Sequence, residues 1–183
     1  MALSKSSFDR IIRRTLGGGE VTSRSYALVD TARDSRLYPL LLRATGSTRC
    51  LLGSELPEKL VRVAPFVVQL GTSDDPVRTT WREHGEGRAW GTLVVSEASI
   101  GTLVEHLKTL FRVHLHDGSR ALFRFYDPRV LRVFLPTCSP EQLREFFGPM
   151  RSVTCEQEDG TWTTYAVQDG ALVTRTATAD ERP

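Results

Sequence analysis

The sequence has few cysteines and no long apolar run. Its three cysteines, Cys50, Cys138 and Cys155, are widely spaced and form no C-x-x-C pair. This pattern predicts neither a disulfide framework nor a zinc site, and reduced thiols are what the cytosol maintains. No apolar run approaches the roughly 20 residues of a membrane span, and the N-terminal residues lack the apolar core of a secretory signal. We therefore expect a cytoplasmic protein that does not bind membranes.

Lysine is also scarce, because only three of the 24 basic residues are lysines. Arginine forms planar bidentate pairs, which suits protein interfaces. The net charge is +2, yet residues 1–49 hold nine basic and four acidic residues, an excess of +5. A basic surface for an acidic protein or a nucleic acid is one interpretation of this excess. A solvated helix face is the preferred one, because the basic residues form no continuous run.

The composition predicts one folded domain. The chain has 183 residues, of which 40% are hydrophobic and 25% charged, enough for a real core. Helical and strand patterns alternate from Leu28 to Phe147, and two Asp-Gly turns then separate alternating segments. The fold class predicted is α/β (or α+β), with a mixed β-sheet flanked by helices and a C-terminal antiparallel meander. We divide the chain into an N-terminal helix and glycine joint (1–19), a core domain (20–150) and the meander with a frayed tail (151–183).

Two helices carry clear start signals. Ser99 precedes an i, i+3, i+4, i+7 apolar pattern over residues 100–111, which predicts an amphipathic helix with a serine cap. Ser139 and Gln142 have the spacing of a capping box, with a proline at the first helical position. Gly148 is expected to end that second helix.

No residue pattern predicts catalysis. His114 and His116 lie two apart on a predicted strand, as a metal site requires, but no third ligand can be named, and the solvent face of a hairpin is the preferred interpretation. Cys50 and Cys138 are expected at a buried strand position and before a helix cap, not as thiolates beside a histidine. Glycines 17–19 lack the G-K-[ST] of a phosphate loop. We predict no catalytic, metal or cofactor-binding residue, and an enzyme with an unrecognised His/Cys site is the alternative.

The stretch "ALFRFYDPRVLRVFLP", residues 121–136, is unusual. The sequence predicts a hairpin around Asp117-Gly118 whose second strand continues through Phe125. That strand is expected to end at Asp127, because Pro128 removes a backbone donor and restricts the residue before it.

The polar residues of this stretch have two interpretations. Alternation predicts that Arg124 and Tyr126 share one face of the strand. Asp127 is expected to accept from free amides at the turn, or to pair with Arg124 or with Arg129. Such an ion pair either fixes the exit from the sheet, which is the preferred interpretation, or belongs to an arginine–tyrosine patch of the kind that anchors protein interfaces.

Several segments together resemble one protein family. They are, in chain order, "YALVD", "LYPLLL", "CLLG", "APFVVQLG", "WGTLVVSEASIGTLVEHLK" and "FRFYDPRVLRVFLPTCSPEQLREFFGP". The chain resembles the adaptor chaperones of the bacterial type VI secretion system, of the Tap or TEC type. The resemblance extends from about Tyr26 to Pro149, and its most specific parts are "RFYDPR" and "FFGP".

The resemblance implies a cytosolic, non-enzymatic chaperone that holds one cognate effector and helps dock it on the spike protein VgrG, with no cofactor and no nucleic acid. The family's signature residues correspond here to Arg124, Phe125, Tyr126, Asp127, Pro128 and Arg129. Many members carry a longer C-terminal lobe associated with cargo choice, whereas about 34 residues follow Pro149 here. We therefore expect either a minimal member, or cargo recognition by the core and the meander.

Overall fold

The computed structural model describes residues 23–114, 118 and 120–177. The predicted N-terminal helix and the glycine joint at residues 17–19 lie outside the described residues. Within the described ranges, no helix is both long and apolar enough to cross a membrane.

The described part of the chain contains a seven-stranded sheet and a separate hairpin. The main sheet consists of β1 (Arg24–Asp30), β2 (Thr48–Cys50), β3 (Pro65–Gln69), β4 (Gly91–Ser96), β7 (Met150–Glu156), β8 (Trp162–Gln168) and β9 (Ala171–Ala177). The hairpin consists of β5 (Arg112–His114) and β6 (Arg120–Leu122). The order across the main sheet is β2-β3-β1-β4-β7-β8-β9.

The predicted fold class is confirmed, with one correction to the sheet. Helices flank the sheet and a strand meander closes it, as expected. All the strand pairings described are antiparallel, so the sheet is antiparallel and not mixed. Alternating helices and strands favour parallel pairing through crossovers. Here β1 instead lies between β3 and β4 and runs antiparallel to both.

Helices lie between the strands over the same described ranges. They are α1 (Leu37–Leu41), α2 (Glu58–Val61), α3 (Pro76–His84), α4 (Ile100–Leu110), α5 (Pro128–Phe134) and α6 (Pro140–Phe147), with short 3-10 helices at Thr31–Arg33 and Leu135–Thr137. The predicted caps are confirmed. The Ser99 side chain accepts a hydrogen bond from the Thr102 amide, and Ser139 forms the capping box with Gln142.

The interior strand β1, which lies between β3 and β4, is buried on both faces. Successive side chains of a strand point to opposite sides, so Tyr26 and Leu28 join one core and Ala27 and Val29 join the other. The first core includes apolar residues of α4, α5 and α6, and the second includes those of α1 and α3. The continuous apolar run of β1 follows from this double coverage.

The predicted meander is confirmed, and it continues the main sheet. β7 pairs with β4, β8 with β7, and β9 with β8. The β8–β9 turn has positive φ angles at Asp169 (52°) and Gly170 (79°), the conformation that an Asp-Gly hairpin turn adopts. β9 forms one edge of the sheet, and five of its seven residues are exposed.

Candidate binding surface around Arg124 and Arg129

The stretch from Phe123 to Tyr126 is a turn, so the predicted long strand is wrong. β6 ends at Leu122, and α5 begins at Pro128. The Asp127 side chain caps that helix by accepting from the Arg129 amide at 3.0 Å. Proline is unfavourable within a strand, but it is favourable at the first position of a helix. The Asp-Pro pair is therefore a helix start, and the apolar run after it is helical.

Two consecutive aromatic residues of the turn, Phe125 and Tyr126, both point inward, which corrects the predicted alternation. Phe125 is fully buried and Tyr126 is 8% exposed. Their rings lie 5.2 Å and 6.1 Å from the ring of Phe111, at the end of α4. Aromatic pairs at such separations contribute stability beyond their buried area. These rings fix the turn against α4.

Asp127 pairs mainly with Arg129. The Nε and Nη2 atoms of Arg129 donate to the two carboxylate oxygens of Asp127 at 2.9 and 2.6 Å. The Nη2 atom of Arg124 lies 3.8 Å from Asp127 Oδ2, a weaker contact. The two alternatives that the sequence left open are thus unequal, because only Arg129 makes the planar bidentate contact.

Arg124 pairs with a residue that the sequence analysis did not identify. Its Nη2 atom donates to Asp30 Oδ2 at 2.6 Å. Asp30 ends β1 and is 2% exposed, and its other oxygen accepts from the Ala32 amide at 3.1 Å. The sequence does contain one signal for this contact. Asp30 is an acidic residue at the end of the apolar segment "YALVD", and a buried carboxylate requires a partner. We call Asp30, Arg124, Asp127 and Arg129 the arginine–aspartate network.

The pKa shifts in the network favour the charged forms. Burial raises the pKa of Asp127, but the hydrogen bonds from Arg129 outweigh burial, and the net shift is downward. Burial lowers the pKa of Arg124, and the hydrogen bond and charge of Asp30 reverse this to a net increase. Burial, followed by the negative charge of Asp30, raises the pKa of Tyr126. The Asp127–Arg129 pair is therefore charged at neutral pH, and Tyr126 stays neutral.

In the network, the arginine side chains are accessible to solvent, whereas the aspartate side chains are buried. The side chains of Asp30 and Asp127 are 2% and 3% exposed, whereas those of Arg124 and Arg129 are 45% and 47% exposed. The Arg124 guanidinium also lies over the Tyr126 ring, 5.7 Å from its centroid. Fixed guanidinium donors at a surface bind anions.

The family model described as a domain of unknown function (DUF4123) matches residues 25–145. The chain belongs to the DUF4123 family. The DUF4123 segment contains the whole arginine–aspartate network, while β7, β8 and β9 follow it in the chain. Comparisons with curated proteins and with solved structures give no match.

The other candidates in the DUF4123 segment are His114, His116, Cys50 and Cys138. His114 is in β5, and His116 lies outside the described residues. Among the residues that the structure describes, no group of three or more His, Cys, Asp or Glu side chains is placed to hold a metal ion. Cys50 and Cys138 are half-buried, and burial raises the pKa of both thiols. Neither is a thiolate at neutral pH.

Proposed function

We propose that this protein is an adaptor chaperone of a type VI secretion system, which binds a cognate effector in the cytosol and assists its loading onto VgrG without catalysis. One observation carries the proposal. The DUF4123 match, at residues 25–145, falls on the segment from about Tyr26 to Pro149 that resembles such adaptors. The segment "RFYDPR", which is among the most specific parts of that resemblance, contains three of the four residues of the arginine–aspartate network.

The fold is suited to holding another protein. A sheet with cores on both faces is a stable frame. β9 is an edge strand with mostly exposed residues, and such an edge offers backbone groups to an extended segment of a partner. The sheet edge and the network are two separate places where an effector could be held.

Co-expression tests the proposal directly. The tagged chain is produced with each protein encoded beside it and with VgrG, and complexes are isolated by pull-down and size-exclusion chromatography. We expect a stable complex with one large neighbour, which is soluble only together with this chain. Elution of the chain alone in every combination would contradict an adaptor role.

Two further measurements separate the alternatives. Stoichiometric zinc or iron in the purified protein would favour an enzyme instead. Binding to arbitrary DNA with a steep dependence on salt would favour a nucleic-acid regulator, because counterion release produces that slope.

A further inference from the structure

Each arginine of the network is bound to an aspartate through only part of its guanidinium group. Arg129 directs Nε and Nη2 toward Asp127, and Arg124 directs Nη2 toward Asp30. A guanidinium carries five N–H donors, so these contacts use only part of each group. Both side chains are nearly half exposed, so part of each arginine is accessible to solvent beside these contacts.

The two guanidinium groups are close enough to share one anion. Their Nη2 atoms lie 3.8 and 2.6 Å from the same oxygen, Asp127 Oδ2, so the two nitrogens are separated by no more than the sum, 6.4 Å. A carboxylate that accepts one charge-assisted hydrogen bond of about 2.8 Å from each arginine reaches across that separation.

The arginines are also pre-organised. The aspartates that hold them are buried, and the Tyr126 ring lies beside the Arg124 guanidinium. Ordering a free arginine side chain opposes binding, and here much of that ordering is already complete. A partner group therefore meets donors that are in place.

Two further arginines, Arg33 and Arg88, lie near the backbone that surrounds the end of β1, and Arg88 Nη1 is 3.6 Å from Asp34 Oδ2. The Trp90 carbonyl accepts from the Asp30 amide at 2.8 Å, and the Arg88 guanidinium lies 6.0 Å from the Trp90 ring centroid. Arg33 donates to the Arg88 carbonyl at 3.5 Å. A partner segment with several acidic residues gains attraction from these neighbouring charges.

We infer that Arg124 and Arg129 form a binding site for a carboxylate side chain in an acidic segment of the partner protein. A nucleic acid is the less suitable ligand. Phosphate backbones are bound by long stripes of several cations, whereas this site presents two neighbouring guanidinium groups. The identity of the partner as an effector or as VgrG rests on the proposed function, but the site itself does not.

The site can be tested without the natural partner. A hexaglutamate peptide is titrated into the full ¹⁵N-labelled chain, and the arginine Nε–H resonances are followed by NMR. We expect saturable shifts of the Arg124 and Arg129 resonances that weaken as salt is added. Arg144 is the internal control, because it is exposed and pairs with Glu141 on α6. Equal shifts of Arg144, or no saturable shift at all, would overturn the inference.

Lysine variants then test the donor geometry. The double variant Arg124→Lys, Arg129→Lys keeps the charges but loses the planar fork. We expect it to bind the peptide at least about tenfold more weakly, since a hydrogen bond to a charged group contributes roughly that factor or more. Arg144→Lys should bind as the parent does. Unchanged binding by the folded double variant would overturn the inference, and if that variant does not fold, the titration of the parent chain decides.

A duplex DNA of arbitrary sequence is the third probe. Tighter binding of the duplex than of the peptide, at the same two resonances, would assign the site to phosphate and overturn the inference. The adaptor proposal is judged separately. A peptide that fails to bind while a neighbour co-purifies removes only the carboxylate site, and a peptide that binds while no neighbour co-purifies removes only the adaptor role.

Discussion

The His106 ring fills the space beside Gly148. Its Nε2 atom lies 2.9 Å from the Phe146 carbonyl oxygen, and a Cβ built on Gly148 would meet the ring carbon Cε1 at 2.3 Å. Gly148 also has a φ of 44°, a backbone conformation that residues other than glycine adopt only at an energetic cost. α4 and the end of α6 are thus joined through a position that only glycine fits.

We therefore expect Gly148→Ala to reduce the free energy of unfolding by about 1–3 kcal/mol, through backbone strain and displacement of His106. Gly101→Ala in α4 is the matched control. Its Cβ would lie 3.7 Å from its nearest neighbour, the Ser99 hydroxyl, so that change should be neutral or stabilising by up to about 1 kcal/mol. Urea unfolding measures both variants. Equal stability of the two variants would contradict the strain at Gly148.

Asp127→Asn should destabilise the protein at neutral pH by about 1–3 kcal/mol. The change removes the negative charge of the carboxylate that accepts two hydrogen bonds from the Arg129 guanidinium. In Glu141→Gln, the control, solvent replaces an exposed ion pair and stability should change little. Urea unfolding at pH 7 compares the two. A similar loss of stability for both changes would mean that burial of Asp127 does not strengthen its ion pair with Arg129.

The same variant should also change the acid sensitivity of the fold. The folded-state pKa of Asp127 is lowered, so the unfolded chain binds its proton more readily. This contribution is present above the unfolded pKa, near 4, and is lost as pH falls through the folded value. Hydrogen bonds from Arg36 lower the pKa of Asp34 to about 2, which acts in the same direction. The difference between parent and variant should shrink below about pH 4, and a constant difference would contradict this origin.

The contact of Arg124 with Asp30 should appear as a coupling between distant parts of the sequence. In a double-mutant cycle with Arg124→Gln and Asp30→Asn, we expect a coupling energy of about 1–3 kcal/mol. The Arg132–Glu158 pair, in which Glu158 is 88% exposed, is the control and should couple by less than about 1 kcal/mol. Additive effects at Arg124 and Asp30 would show that the two residues act independently.

Cys155 should resist labelling in the folded protein. It is fully buried, and burial raises the pKa of its thiol to about 12, so the thiolate that reacts is scarce and inaccessible. Maleimide labelling at pH 8, followed by mass spectrometry, should modify Cys50 and Cys138 first and Cys155 only at the rate of unfolding. Early modification of Cys155 would mean that β7 opens locally.

Val173→Lys should test the open edge of β9. Val173 is 39% exposed on a strand that the described structure pairs only with β8, and lysine on an edge strand discourages pairing with another chain. We expect a lower yield of the co-expressed complex and unchanged stability. Leu42→Lys, at a position that is 71% exposed, is the control and should leave the yield unchanged. Loss of yield in both variants would point away from the edge.

The elements that the sequence predicted well are those with local signals. The serine caps of α4 and α6 and the Asp169-Gly170 turn each depend on a few adjacent residues. Their backbone geometry is set by hydrogen bonds within the same segment, so periodicity and capping residues are sufficient to find them.

The failures concern ambiguous or distant signals. Pro128 is compatible with the end of a strand and with the start of a helix, and the choice depends on the packing of Phe125 against α4. The partner of Arg124 is 94 residues away in the sequence, and the antiparallel pairing of β1 with β3 and β4 also joins distant segments. The six signature residues were expected from the resemblance alone, whereas the contact of Arg124 with Asp30 required the structure.

The position of β7 has a consequence for biosynthesis. The segment matched by the family model, residues 25–145, supplies only the strands β2, β3, β1 and β4 to the main sheet, and β4 would present an open side without β7. A ribosome completes β4 more than fifty residues before β7 begins. The nascent chain must therefore keep one edge of β4 unpaired until β7, which begins at Met150, is synthesised. A gene shortened after the family segment would encode four of the seven strands, a partial sheet that is prone to aggregation.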